Sequence, residues 1–129
     1  MTRAIVNTSK APAAIGTYSQ AVATDRPRVV FLSGQIPLDP TTMALVGDDF
    51  ETQARQVFEN LQAVATAAGG GLSDCVKLTI YLVDLGDFEV VNRVMASFFD
   101  EPYPARAAIQ VSALPKGAAI EIDAIMALE

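Results

Sequence analysis

The run Val76-Lys77-Leu78-Thr79-Ile80-Tyr81-Leu82-Val83 narrows the choice of folds more than any other stretch. Val76, Leu78, Ile80 and Leu82 alternate with Lys77, Thr79, Tyr81 and Val83, the period-two pattern of a strand with one buried face. Such a strand needs sheet partners and an apolar layer to cover it. Two segments of helical periodicity supply that layer. In the first, Phe50, Ala54, Val57, Phe58, Leu61, Val64, Ala65 and Ala68 recur at helical spacing. Asp48 or Asp49 is its expected cap, and Asp48-x-x-Glu51 resembles a capping box. Gly69-Gly70-Gly71 stops it. These glycines follow a helix and lack a P-loop lysine, so they read as a stop rather than a phosphate cradle. In the second, Asp87 is the expected cap, and Phe88, Val91, Met95, Phe98 and Phe99 form a core-facing stripe. Glu101-Pro102-Tyr103-Pro104 ends it.

Further strands are expected at Arg3 to Asn7, Ser19 to Thr24 and Arg28 to Leu32, with two more after Pro104. The order β-β-β-α-β-α-β-β predicts an α+β fold in one domain over residues 1–129, with both helices on one face of a single sheet. Hydrophobic residues make up 51 % of the 129 and charged residues 19 %. That is more apolar material than one small core absorbs. A homo-oligomer that covers the second sheet face is the expectation.

The formal charge of −6 and the absence of any Lys/Arg-rich run argue against nucleic acid as a partner. With no histidine, the chain has no Ser-His-Asp or Cys-His machinery and no histidine-ligated zinc. No loop is dense enough in Asp and Glu to suggest Mg²⁺ or Ca²⁺, so no metal is expected. One cysteine, Cys75, allows no internal disulfide and reads as a small buried residue. No signal-peptide pattern and no apolar run of membrane-spanning length is present, so a cytoplasmic protein without membrane contact is expected.

The chemistry concentrates between Pro104 and Ile122. Arg106 and Glu121 stand alone in apolar, strand-like runs, with Pro115-Lys116-Gly117 between them as a turn. An antiparallel hairpin that puts Val111 near Lys116 sets Arg106 beside Glu121 on one face. A guanidinium among alanines can grip a carboxylate through two parallel hydrogen bonds, or it can be half of a salt bridge to Glu121. Glu121 among isoleucines can serve as a general acid or base, or it can be a solvent-facing position like Asp123. Tyr18 sits in a Pro/Gly-containing loop, where its phenol can donate to a substrate or pack at an interface. Gly34, in Ser33-Gly34-Gln35, permits close approach of another group at a strand end. Asn92, on the second helix, can contact a ligand or simply face solvent.

The chain resembles the Rid family, the reactive-intermediate deaminases also called YjgF proteins. The resemblance rests on Pro104-Ala105-Arg106-x-x-Ile109-x-x-Ser112-x-Leu114 followed by Ile120-Glu121-Ile122. Supporting blocks are Ala11-Pro12-Ala13-Ala14-Ile15-Gly16, Tyr18-Ser19-Gln20-Ala21, Ser33-Gly34-Gln35-Ile36-Pro37, Gln53-Ala54-Arg55-Gln56 with Asn60-Leu61, and Asp84-Leu85-x-Asp87-Phe88 with Asn92. It implies a chorismate-mutase-like fold, a homotrimer with clefts between subunits, and no cofactor. It also implies hydrolysis of 2-imino acids and their enamine tautomers, such as 2-aminoacrylate, 2-iminopropanoate and 2-iminobutanoate, to 2-keto acids and ammonia. These intermediates escape from pyridoxal-phosphate enzymes. By position, Arg106 is implied to hold the substrate carboxylate and Glu121 to position or activate water. Tyr18, Ser33, Gly34 and Asn92 are implied to line the cleft, with the Tyr18 loop reaching in from a neighbouring subunit. Ala108 stands where the archetypal subgroup usually carries cysteine, a position that contributes largely through backbone contacts. Two other classes use the same residues or surface: a non-catalytic trimer that binds small carboxylates, and a chaperone-like module working through exposed apolar surface.

Overall fold

In the computed structural model, which describes residues 3–129, the last strand of the chain lies inside the main sheet. The strands are β1 (Arg3–Val6), β2 (Ala21–Thr24), β3 (Arg28–Gln35), β4 (Cys75–Leu82), β5 (Ala105–Gln110) and β6 (Ile120–Leu128). The helices are α1 (Phe50–Ala67) and α2 (Phe88–Phe98). The main sheet has the order β3-β6-β4-β5, and β1 and β2 form a separate antiparallel ribbon. The α+β architecture matches the expectation, but not as a single sheet, because β1 and β2 pair only with each other.

The hairpin expected between Arg106 and Glu121 does not form. β5 pairs parallel with β4, and β6 pairs antiparallel with both β4 and β3. β5 and β6 do run in opposite directions, but β4 lies between them. Burial explains the choice. β6 is apolar along most of its length and takes an interior position, whereas alanine-rich β5 takes an edge. The loop through the 3₁₀ turn Pro115–Gly117 is long enough to step across one intervening strand, roughly 10 Å at the usual strand spacing. The β4-α2-β5 segment forms the parallel crossover unit.

Asp49 caps α1 by accepting from Thr52 N at 3.0 Å. The capping box read at Asp48 and Glu51 therefore falls one residue early, and the Glu51 carboxylate instead accepts from Arg55 and Arg93. Gly69, with φ of +98°, turns the chain out of the helix as expected. Asp87 stands at the N-cap of α2 as expected but makes no side-chain capping bond there, while Asp84 caps the preceding 3₁₀ turn Leu85–Asp87 by accepting from Gly86 N at 2.8 Å.

The core lies between the helices and one face of the sheet. Leu78, Ile80 and Leu82 of β4 and Ile120, Ile122 and Met126 of β6 pack against Val57, Phe58, Leu61, Val91, Val94 and Met95, all fully buried. Phe58 stacks on Phe98 and meets Phe99 edge-on. A bulge between Cys75 and Lys77 shifts the start of β4, so Cys75 rather than Val76 enters the core. Among the described residues, no helix is long and apolar enough to cross a membrane.

Burial pushes the Cys75 thiol up to about 12. The native protein is therefore expected to resist a thiol-specific disulfide reagent at about pH 8, with full reaction on denaturation. A stopped-flow absorbance trace checks this, and rapid native labelling contradicts the buried placement.

Candidate functional site

Arg106 faces the helices because its partner in the parallel ladder is Leu78, a core residue of β4. Its Nη1 donates to Thr17 Oγ1 at 2.8 Å and to Asn92 Oδ1 at 2.7 Å. Thr17 Oγ1 donates in turn to Asn92 Oδ1 at 3.0 Å. The guanidinium lies over two rings, with its Cζ 4.9 Å from the centroid of Tyr18 and 4.9 Å from that of Phe88. All these partners are neutral. Among the described residues no carboxylate pairs with Arg106, which disposes of the salt bridge to Glu121. Nε and Nη2 have no protein acceptor among the described residues, so one edge of the planar fork is open to a ligand. Burial lowers the proton affinity of the guanidinium, with the Tyr18 phenol acting in the opposite sense, yet an arginine stays charged.

Local sequence accounts for the arrangement. Ser19 bridges in parallel to Ala105, and its N–H donates to Pro104 O at 3.0 Å, fastening the loop along the free edge of β5. That attachment holds Thr17 and Tyr18 of the same chain against Arg106, in contrast to the expected approach from a neighbouring subunit. Gly16 keeps the space open, since a Cβ there would lie 3.4 Å from Arg106 Nη2. On α2, Phe88, Asn92 and Met95 lie on one face at helical spacing. A cleft of about 480 Å³ is lined by Ile15, Gly16, Tyr18, Phe88, Glu89, Asn92, Arg106 and Ala108.

Glu121, Ser33 and Gly34 lie elsewhere. In the β4–β6 ladder Glu121 is opposite Tyr81, three residues along β4 from the Leu78 that faces Arg106. An odd separation along a strand reverses the face, so Glu121 projects from the side of the sheet away from the helices. Its carboxylate rests against Gly34, where an added Cβ would lie 2.0 Å from Oε2. Gly34 sits in the irregular stretch between Leu32 and Gln35 of the β3–β6 pairing, and Ser33 beside it is exposed. Glu121 accepts no hydrogen bond from the described residues. The nearby Tyr81 hydroxyl donates instead to Asp123 Oδ2 at 3.0 Å, and that bond chiefly raises the phenol's pKa. The seven expected site residues thus divide: Tyr18, Asn92, Arg106 and Ala108 meet in one cleft, while Ser33, Gly34 and Glu121 meet on the opposite face.

Sequence reasoning missed Thr17 and took Phe88 for core. No local signal marks Thr17, but Phe88 and Asn92 are four residues apart on one helix face, and that spacing was available. Among the described residues, no three or more His, Cys, Asp or Glu side chains gather as metal ligands.

The family model described as endoribonuclease L-PSP matches residues 8–128. Protein DfrA of Myxococcus xanthus is 54 % identical over 125 residues, spanning 97 % of this chain and 95 % of its own. The 2-iminobutanoate/2-iminopropanoate deaminase of Rattus norvegicus is 48 % identical over 123 residues, spanning 95 % of this chain and 88 % of its own. Among solved structures, RidA of an Antarctic Psychrobacter superposes with a TM-score of 0.76 at 52 % identity, covering 97 % of this chain and 99 % of that one.

An arginine held only by neutral groups contributes little to folding. Replacement by an isosteric apolar residue, Arg106→Met, is expected to change unfolding free energy by no more than about 1 kcal/mol. Breaking a buried ion pair costs roughly 3–5 kcal/mol. Urea unfolding monitored by circular dichroism separates the two cases.

Proposed function

This chain belongs to the Rid (YjgF) family, and we propose that it hydrolyses 2-imino acids and their enamine tautomers to 2-keto acids and ammonia. The observation that carries this reading is the open edge of Arg106, a charged fork oriented by Thr17 and Asn92 with no carboxylate of the protein to fill it. A carboxylate-bearing ligand completes it with two parallel hydrogen bonds. The similarity to the rat deaminase supports the choice of reaction.

The chemistry demands little of the protein. An enamine first takes a proton at carbon and gives one up from nitrogen, a tautomerisation to the imine R–C(=NH)–COO⁻. Water adds to the electrophilic carbon, one of its protons passing to nitrogen to give a carbinolamine. The remaining hydroxyl proton moves to nitrogen as the C–N bond breaks, releasing ammonia and leaving R–CO–COO⁻. Anchoring the carboxylate on Arg106 fixes the reacting carbon in the cleft, and most of the rate enhancement on this reading comes from proximity. Tyr18, Asn92 and Ala108 shape the pocket around it. Glu121 orients or deprotonates the water.

Within one chain Arg106 and Glu121 stand on opposite faces, so this mechanism requires a second copy. In the proposed homotrimer, Glu121, Ser33 and Gly34 of one subunit close the cleft of the next. The exposed Phe31 and Val29, on the same face as Ser33, supply apolar surface for that contact. The protein works free in the cytoplasm, without cofactor.

A coupled assay that generates 2-aminoacrylate in situ tests the reaction. Arg106→Ala is expected to abolish accelerated release of pyruvate and ammonia while the oligomer persists. Full activity in a well-folded Arg106→Ala protein contradicts the assignment. Glu121→Gln is expected to lose turnover while retaining affinity for small carboxylates, and a parallel loss of both argues against a role on water. Subunit mixing tests the composite site. Arg106→Ala and Glu121→Gln chains, each inactive, are unfolded and refolded together in equal amounts. One site in four then carries both groups, for about a quarter of wild-type activity. No recovery from mixed oligomers excludes a site shared between chains.

A further inference from the structure

The Arg106 cleft contains a second charge that the reaction does not use. Glu89 lines the same cleft, in the first turn of α2 and one turn before Asn92. It is exposed, and it makes no hydrogen bond or ion pair with any described residue. Its natural intrahelical partner is Arg93, four residues on, but Arg93 is diverted to Glu51 of α1. Nor does Glu89 pair with Arg106, although both line one cleft of about 480 Å³. The rest of the lining is uncharged: Ile15, Gly16, Tyr18, Phe88, Asn92 and Ala108. The cleft therefore carries one cation and one anion, and no described residue neutralises either.

We infer that Glu89 is a specificity determinant, selecting 2-imino acids with a cationic side chain over neutral or anionic ones. The inference rests on the hydrolytic reading above, which places the carboxylate on Arg106. With that end fixed, the substrate side chain extends along the apolar wall. A terminal ammonium or guanidinium then reaches the Glu89 carboxylate, and a terminal carboxylate is repelled by it. A first-turn acidic residue also favours its own helix through the backbone dipole. That role acts on folding and is blind to substrate charge, so substrate discrimination separates the two.

The test uses imines generated in situ by an amino-acid oxidase from arginine and from citrulline, which match in shape and differ by one charge. For the wild-type protein, kcat/KM is expected to favour the arginine-derived imine by roughly two- to fivefold, the effect of one solvent-exposed charge pair, and the preference is expected to shrink as salt is added. Glu89→Gln is expected to bring the ratio to unity, and Glu89→Lys to invert it. A wild-type protein that hydrolyses both imines at equal rates overturns this inference alone, as does a preference that survives in Glu89→Gln. A wild-type protein that hydrolyses neither imine, nor 2-aminoacrylate, overturns the hydrolytic reading and the inference with it.

Discussion

Strand β6 forms hydrogen-bond ladders with β3 on one side and β4 on the other, and the positions of all the chemically interesting groups follow from that pairing. Because β6 takes the place beside β4, β5 is left to pair on β4's other edge through the α2 crossover. The register then sets Arg106 against Leu78 and Glu121 against Tyr81, on opposite faces of one sheet. A one-residue slip in either ladder would move one of these side chains to the other face. The buried alternation of Ile120, Ile122, Ala124 and Met126 prevents such a slip, since it would expose the core face of β6.

Arg106 shows how a charge is kept partly buried without being neutralised. Thr17 and Asn92 satisfy one end of the fork, and the Tyr18 and Phe88 rings each lie 4.9 Å from its Cζ. Polar acceptors and π-faces offset part of the desolvation cost while leaving the charge available. An acid in the same place would have served the fold and blocked the ligand. Gly34 plays a matching part around Glu121, because the absence of a Cβ is what lets the carboxylate lie against the β3 backbone. On the function proposed, these are two half-sites on opposite faces of one subunit. The proposed trimer would use the uncovered sheet face, on which Phe31 is exposed, as its contact.

Much of this was legible in the chain itself. The alternation in Val76 to Val83, the apolar stripes after Phe50 and Phe88 and the glycine stop at Gly69 all lead to the observed elements. The residues most charged with chemical meaning, Arg106 and Glu121, were conspicuous as lone charges in apolar runs. Errors arose where a local rule had two near-equal answers. Asp49 caps α1 where Asp48 was an equal choice, and the bulge before Lys77 exchanges Val76 for Cys75 in the core.

The sequence by itself determined the element types and their order, the absence of histidine chemistry and the isolated arginine and glutamate, because propensity, periodicity and capping act over a few residues. Only the tertiary structure decided that β4 separates β5 from β6, that Thr17 and Phe88 share the arginine with Asn92, and that Arg106 and Glu121 face apart. Those outcomes depend on ladders and packing between residues far apart in the chain, such as Thr17 with Arg106 and Leu32 with Ala124. Their free energies are set by which strand is best buried in the interior of the sheet, a comparison among whole strands that no local pattern contains.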